Sequence, residues 1–253
     1  MYAPERQTEI VTRARNAGRV DVATLAAELD VAAETIRRDL GLLERRGLLR
    51  RVHGGAVPVE RLALEPSVDE RDLANTEAKD AIARAALTLL GDASTIVLDG
   101  GTTTARLAAL LPEGRELTVI THALPVAAAV ATRPGITLHL VGGHVRGRTL
   151  VATGPWTTAA LAELRADVVV LGANGVSVDR GLTTPDLAEA EAKRALAAAG
   201  RRVVVLADHT KIGRDELVTF APLERVDMLV TDAVVAPDLV AELVAAGVEV
   251  VTA

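Results

Sequence analysis

Apolar residues recur every three or four positions in the first thirty residues, which is the spacing of helices that bury one face. Residues 5–16 place Ile10 and Ala14 on one side and predict a first helix that ends near Gly18. Asp21 is suited to cap a second helix, whose apolar positions continue to Leu29. The pattern therefore predicts two short helices in succession.

A third helix follows a short turn. Ile36, Leu40 and Leu43 fall on one stripe at 100° per residue, whereas Arg38 and Arg45 point the other way. One face of this helix is expected to pack against the first two helices. The opposite face, rich in arginine, is left for a partner.

A hairpin signal comes next. LLRRVHGGAVPV, residues 48–59, alternates apolar and polar positions around Gly54-Gly55, which indicates a tight two-residue turn. Three helices followed by a hairpin predict a winged helix-turn-helix. In that geometry the third helix enters the major groove of DNA and the hairpin lies on the flanking backbone.

The pattern changes beyond residue 75. Short apolar runs rich in Val and Ile lie at 94–99, 117–122, 136–143, 166–175, 201–208 and 226–232. They lack polar alternation, and alanine-rich helical segments separate many of them, so a mainly parallel sheet covered by helices is expected. The fold class is therefore α/β, with a DNA-binding domain over 1–58, a linker over 59–75 and a larger effector domain over 76–253.

Charge changes the picture because it is unevenly distributed. The whole chain carries a formal charge of -6, but residues 37–51 contain six Arg against one Asp and one Glu. Local charge decides which polyanion a surface can approach. A positive element inside a predicted helix-turn-helix favours DNA binding, although an arginine-rich helix can also be only a solvated face.

Composition excludes several classes of protein. The chain has no Cys, and its five His show no metal-binding spacing, so disulfides, thiolate chemistry and a metal site are not expected. No apolar run is long enough to span a bilayer, and the start lacks the apolar core of a signal peptide. A cytoplasmic protein with no membrane contact is the expectation.

Candidate DNA contacts come from the third helix and the hairpin. Those on the helix are Thr35, Arg37, Arg38 and Arg45, and those on the hairpin are Arg50, Arg51 and His53. Arginine can bond bidentately to guanine and can also bond phosphates.

Candidate ligand contacts come from polar strand ends, since loops converge beyond the carboxyl ends of parallel strands. DGGTTT, residues 99–104, passes from strand to helix and can cradle a phosphate, but it serves equally as an ordinary helix cap. Lys211 can donate to a phosphate or remain solvated. Glu189 and Lys193 have the spacing of a salt bridge within one helix, which would explain them without a ligand.

The residues also resemble a known family. TIRRDLGLLERRGLLRRVHGGA, DGGTTT, LGANGVSVDRGLTTPDLAEAEAKRAL and VVLADHTKIGR are similar to DeoR-type bacterial transcriptional regulators along nearly the whole chain. The resemblance implies an effector domain with the fold of ribose 5-phosphate isomerase that binds a phosphorylated sugar. Two positions depart from the family pattern: Ala32 replaces a capping serine, and His122 replaces an asparagine.

Strand ends and resemblance together give one set of effector-binding candidates. They are Asp99, Gly101, Thr102, Thr103, Thr104, His122, Gly142, Gly143, Arg146, Asn174, Thr184, Glu189, Lys193, Asp208 and Lys211.

A regulator controlled by a sugar phosphate is the first interpretation of the effector domain. The alternative is a sugar-phosphate isomerase, but residues 171–175, LGANG, lack the carboxylates that proton transfer between adjacent carbons requires. The prediction is therefore no enzyme and no cofactor, but a regulator, most simply a repressor of a sugar-utilisation operon. Its expected partners are operator DNA and a sugar-phosphate effector, and it is expected to form a homodimer or homotetramer to read paired half-sites.

Overall fold

A computed structural model describes residues 3–45, 48–52, 54–58 and 66–253. It divides into two compact units, residues 1–65 and 66–253. Among the described residues, none of the helices combines the length and apolar character required to span a bilayer.

The first unit has three helices and a small sheet. Its elements are α1 (Ala3–Ala17), β1 (Val20–Asp21), α2 (Val22–Glu28), α3 (Ala33–Arg45), β2 (Leu49–Val52) and β3 (Gly55–Pro58). The strands are antiparallel in the order β1-β3-β2. Asp21 caps α2 as predicted, because its carboxylate accepts the amide of Thr24 at 2.8 Å.

The core of this unit contains the predicted stripe of α3. Ile36, Leu40 and Leu43 are buried among residues of α1 and α2. The prediction of a turn at Gly54-Gly55 is wrong for Gly55, since Gly55 pairs with Val52 as the first residue of β3. A Cβ at Gly55 would lie 2.0 Å from the carbonyl oxygen of Val20, so this strand position requires glycine.

The second unit is built on a sheet of seven parallel strands. Their order is β15-β14-β12-β9-β4-β5-β6. The strands are β4 (Thr95–Leu98), β5 (Leu117–Thr121), β6 (Ile136–Leu140), β9 (Ala166–Gly172), β12 (Gly200–Leu206), β14 (Met228–Thr231) and β15 (Glu249–Thr252). All six predicted runs form strands of this sheet. Of the seven strands, only β15, at one of the two edges, was not predicted.

Helices flank the sheet. They are α4 (Val68–Leu73), α5 (Thr76–Leu89), α6 (Thr102–Leu110), α7 (Leu124–Val130), α8 (Pro155–Ala162), α9 (Leu187–Ala199) and α10 (Pro237–Ala245). The segment predicted as a linker contains α4, because Ser67 and Glu70 form a capping box that starts a helix there.

Two small antiparallel sheets were not predicted. One pairs β7 (His144–Arg146) with β8 (Val151–Thr153), and the other joins β10 (Gly175–Ser177), β11 (Gly181–Thr184) and β13 (Val218–Ala221). Their strands have only three or four residues, too few for alternation to stand out.

Candidate functional site

Most candidate effector residues follow five adjacent strands, β12, β9, β4, β5 and β6, whereas Arg146 is on β7, Thr184 is on β11, and Glu189 and Lys193 are on α9. At the centre of this edge is Asp99, which is 1 % exposed. Its carboxylate accepts the amides of Gly100 at 2.7 Å and Gly172 at 3.0 Å, lies 3.0 Å from Nε2 of His122, and binds the ammonium of Lys193. Burial acts to raise the pKa of Asp99, but Lys193 and His122 outweigh it and hold the pKa well below its usual range.

Lys193 reaches this centre from α9. Its ammonium also donates to the carbonyl of Gly172 at 2.9 Å and lies 5.2 Å from the ring centre of Phe220. The interpretation of Glu189 and Lys193 as one helical salt bridge is wrong. Lys193 pairs with Asp99 instead, because a lysine that is 5 % exposed needs a buried counter-charge.

His122 connects Asp99 to β8. Its Nδ1 lies 2.7 Å from the carbonyl oxygen of Ala152, which can only accept, so Nδ1 is the donor. The side chain is 1 % exposed. His122 is therefore placed to hold Asp99 in position.

The loop DGGTTT turns from β4 into α6. Gly101 caps the helix with a φ of +140°, which side chains rarely allow, and a Cβ at Gly100 would lie 2.1 Å from a methyl carbon of Val151. Thr104 donates to the carbonyl of Gly101 at 2.9 Å and so serves the turn itself. Within the described ranges, the hydroxyls of Thr102 and Thr103 make no hydrogen bond to protein, so they and the amides of the first turn can receive an anion.

Glu189 belongs to a cluster with Arg146. Arg146 on β7 binds the carboxylate of Glu189 and lies 3.1 Å from that of Asp186. Thr149 donates to Glu189 as well. Asp186 and Thr149 were not among the predicted residues, although Asp186 directly precedes α9 and caps it.

The remaining candidates lie in separate contacts. Thr184 donates to the side-chain oxygen of Asn174 at 3.2 Å. Gly142 and Gly143 line a cleft of about 660 Å³ beside Trp156, and no described contact joins them to Asp99.

Asp208 and Lys211 follow β12. Asp208 is buried and accepts the amide of Thr210 at 3.0 Å and the side-chain amide of Asn75 at 3.2 Å. Burial lowers the pKa of Lys211, against the opposing effect of Asp208. His209 anchors this loop, because its amide and Nδ1 each lie 2.7 Å from the carboxylate of Asp232.

Lys79 on α5 was not among the predicted residues. Lys79 is 5 % exposed and donates to the carbonyl of Ala74 at 2.7 Å and to that of Arg71. Burial lowers its pKa to about 8, with Asp208 acting in the opposite direction. Its position in a charged helical segment resembles that of any solvated lysine.

The candidate DNA-binding face is part of the first unit. Arg37 and Arg38 on α3 are exposed, and Arg37 lies 3.1 Å from Glu34. Thr35 is half-buried and its amide bonds to the carbonyl of Ala32 at 2.8 Å. Arg51 on β2 is exposed. His53 lies outside the described residues, as do the side chains of Arg45 and Arg50.

A buried ion pair orients α3. Asp39 is 3 % exposed and accepts from Arg6 at 2.6 Å and from Gln7 at 2.8 Å, both on α1. This contact was not predicted, because Asp39 follows the two arginines directly and reads as part of the exposed face. It fixes the rotation of α3 about its axis and so presents Arg37 and Arg38 outward.

Two family models match the chain. Residues 6–61 match the DeoR-like helix-turn-helix domain, and residues 74–233 match the DeoR C terminal sensor domain. The chain belongs to the DeoR family. It is therefore a DNA-binding transcriptional regulator with a sensor domain for a small-molecule effector, as the sequence predicted.

Curated relatives of this DeoR-family protein span almost its full length. It is 36% identical to the HTH-type transcriptional regulator GlpR of Haloferax volcanii, over 99% of this chain and 98% of that one. It is 32% identical to the glycerol-3-phosphate regulon repressor of Escherichia coli K12, over 92% of each chain. Relatives named as regulators agree with the prediction that this protein is no enzyme.

Solved structures that match part of the chain include ribose 5-phosphate isomerase A of Methanocaldococcus jannaschii, at 17% identity and a TM-score of 0.38 over 55% of each chain. RipA of Yersinia pestis matches at 13% identity and a TM-score of 0.46, over 67% of this chain and 52% of that one.

Arg37 and Arg38 give a direct test of the DNA-binding face. Changing either to Ala should weaken operator binding by about 1–3 kcal/mol if it reads a base, while the buried stripe of α3 keeps the unit folded. Gel-shift titration at fixed salt measures the loss, with the exposed Arg165→Ala of the second unit as the control. Unchanged affinity in both variants would move the recognition surface elsewhere.

The lowered pKa of Lys79 predicts a pH dependence. An ordinary lysine keeps its proton up to pH 10.5, whereas Lys79 loses it near pH 8 in the folded protein. Between these values the unfolded chain binds more protons, so this group makes stability rise with pH, by about 3 kcal/mol over the whole window. Urea unfolding of wild type and Lys79→Met at pH 7.5 and 9.5 measures it. The prediction is contradicted if the stability of wild type relative to Lys79→Met does not increase between pH 7.5 and pH 9.5.

Proposed function

We propose that this DeoR-family regulator represses a carbohydrate-utilisation operon and releases its operator when a phosphorylated sugar binds the sensor domain. The observation that carries the proposal is that Thr102 and Thr103, two mostly buried residues at the start of α6, have hydroxyls without a hydrogen-bond partner among the described residues. A helix N-terminus with free amides and hydroxyl donors suits a phosphate dianion.

The polar groups around Asp99 suit the sugar end of such a ligand. The ion pairs of Asp99 with Lys193 and of Glu189 with Arg146 supply charged donors and acceptors that match sugar hydroxyls. The name of the E. coli relative, a glycerol-3-phosphate regulon repressor, makes glycerol 3-phosphate the first compound to test.

A thermal-shift screen tests the effector. The purified protein is scanned with glycerol 3-phosphate and with phosphorylated pentoses and hexoses, each beside its unphosphorylated parent. A specific ligand at a hundredfold excess over Kd stabilises the folded state by about 2.7 kcal/mol. Equal stabilisation by the unphosphorylated parents would show that the phosphate group is not required for binding. If no compound stabilises the protein, the proposed class of effector is wrong.

The same ligand should release operator DNA in a gel shift. If the ligand instead tightens operator binding, the proposal that the effector relieves repression is wrong. Conversion of a sugar phosphate by the purified protein would revive the isomerase alternative, and chromatography of the incubated ligand detects it.

We also propose a homodimer or homotetramer. One recognition helix in one groove makes few contacts, and paired copies read paired half-sites. Light scattering of the free protein and of its operator complex measures the mass. A monomer in both samples contradicts this proposal.

A further inference from the structure

One edge of the parallel sheet has an open backbone. β6 ends the strand order, and among the described strands only β5 pairs with it. The amide of Val141, just after β6, bonds to the carbonyl of Thr121 on β5. Residues alternate along a parallel ladder, so the N–H and C=O groups of Leu138 and Leu140 are directed away from β5. Such a row of unpaired groups is a template for another strand.

Exposed apolar side chains lie along the same edge. Leu140 at the end of β6 is 50 % exposed, and Trp156 at the start of α8 is 83 % exposed. Both line the cleft of about 660 Å³, together with Ile120 and His139 from the sheet and Ala160 from α8. A group of exposed large apolar side chains is typical of an interaction surface.

The sequence of this edge does not discourage a partner strand. Proteins protect open edges with charged residues and Pro, but β6 reads ITLHL and has no Asp, Glu, Lys, Arg or Pro. The opposite edge strand, β15, begins instead with the exposed Glu249. The cleft beside β6 is also lined without Asp, Glu, Lys or Arg. Of the two edges of the sheet, β6 is therefore the one suited to pairing.

A second copy of this chain fits the β6 edge. Residues 66–253 contain 24 acidic and 17 basic side chains, so two copies repel each other least where their surfaces lack acidic residues. Two β6 strands that run antiparallel about a twofold axis are self-complementary. The N–H and C=O groups of Leu138 and Leu140 in one copy then meet the same groups in the other, and neither edge stays open.

We infer that a second copy of the chain docks on the β6 edge, that the two β6 strands pair antiparallel, and that Trp156 is covered in this contact. This inference rests on the proposed function, because it places one interface of the homodimer or homotetramer. It is independent of the effector. In a homotetramer the β6 contact is one of two different contacts between copies.

Trp156 supplies a probe that needs no substitution, because it is the only tryptophan of the chain. In concentrated full-length protein its emission should lie to the blue of tryptophan in water, and acrylamide should quench it weakly, since an interface covers the ring. Dilution that halves the mass seen by light scattering should shift the emission to the red and increase the quenching constant several-fold.

Leu140→Lys tests the strand pairing. It should raise the dissociation constant of the contact by about a hundredfold, because a twofold axis places the charge in the interface twice. Light scattering over a concentration series measures the mass, which should fall to half at concentrations where wild type is assembled. Val244→Lys on α10, where the side chain is 54 % exposed, is the matched control and should leave the mass unchanged. Trp156→Ser should also weaken the contact.

The outcomes separate this interface from the proposed oligomer. A wild-type oligomer whose mass Leu140→Lys leaves unchanged, or whose Trp156 is quenched as in water, overturns this inference alone, because the copies then meet elsewhere. Protection of Trp156 in a monomeric sample overturns it too, since another part of the chain or a small molecule then covers the ring. The wild-type fluorescence decides the matter if the variants do not fold. A wild type that is monomeric both free and on its operator refutes the oligomer and this inference together.

Discussion

Asp99→Asn is expected to remove about 3–5 kcal/mol from the unfolding free energy of the α/β unit. The substitution keeps the size of the side chain but removes the charge that compensates Lys193, which is itself 5 % exposed. It also replaces one acceptor oxygen by a donor amide that must face Lys193, His122 or the amide of Gly172. A buried cation left without its counter-ion carries most of the cost.

A double-mutant cycle separates that charge from the rest of the contacts. Asp99→Asn combined with Lys193→Met should recover much of the loss, because no buried cation then remains. Hydrogen exchange of the amides in β4 and β12 measures the opening free energy of this unit separately from the other. A loss below about 1 kcal/mol for Asp99→Asn would show that Lys193 is solvated. The same would follow if the losses of the two single variants added up to the loss of the double variant.

The sequence predicted those features of the fold that depend on a local pattern of apolar residues. The stripe of Ile36, Leu40 and Leu43 could be read from a 3.6-residue period, and the parallel strands could be read from unbroken apolar runs. The strand ends also pointed to Asp99 and Asp208, because the carboxyl ends of parallel strands meet at one edge of a sheet.

Partners distant in sequence were beyond that reasoning. Lys193 binds Asp99, 94 positions away, although its nearest acid at helical spacing is Glu189. Lys79 stands in a charged segment of α5, and only the folded chain shows that it is buried against the carbonyl of Ala74. Pattern identifies which face of an element packs, but it does not identify which residue the face meets.

Thr103→Leu is expected to abolish the response to the effector while the protein still binds its operator. Thr103 is 9 % exposed, and its hydroxyl makes no hydrogen bond to a described residue, so removing it costs the free protein no such bond. The larger, apolar side chain would block the approach of a phosphate to the amides at the start of α6. The stabilisation of about 2.7 kcal/mol at a hundredfold excess of ligand over the wild-type Kd should disappear.

The operator should then stay bound at every ligand concentration, because a ligand shifts an equilibrium between two states only by its difference in affinity for them. Thermal shift and gel-shift titration of the same preparation measure the two effects. Thr103→Ser restores the hydroxyl and should restore the response, and circular dichroism confirms that each variant is folded. Thr88→Val, which removes a hydroxyl bonded to the carbonyl of Ala85, controls for threonine loss outside the loop. A folded Thr103→Leu that releases DNA at the wild-type ligand concentration would make DGGTTT a helix cap, and the phosphate would have to bind elsewhere.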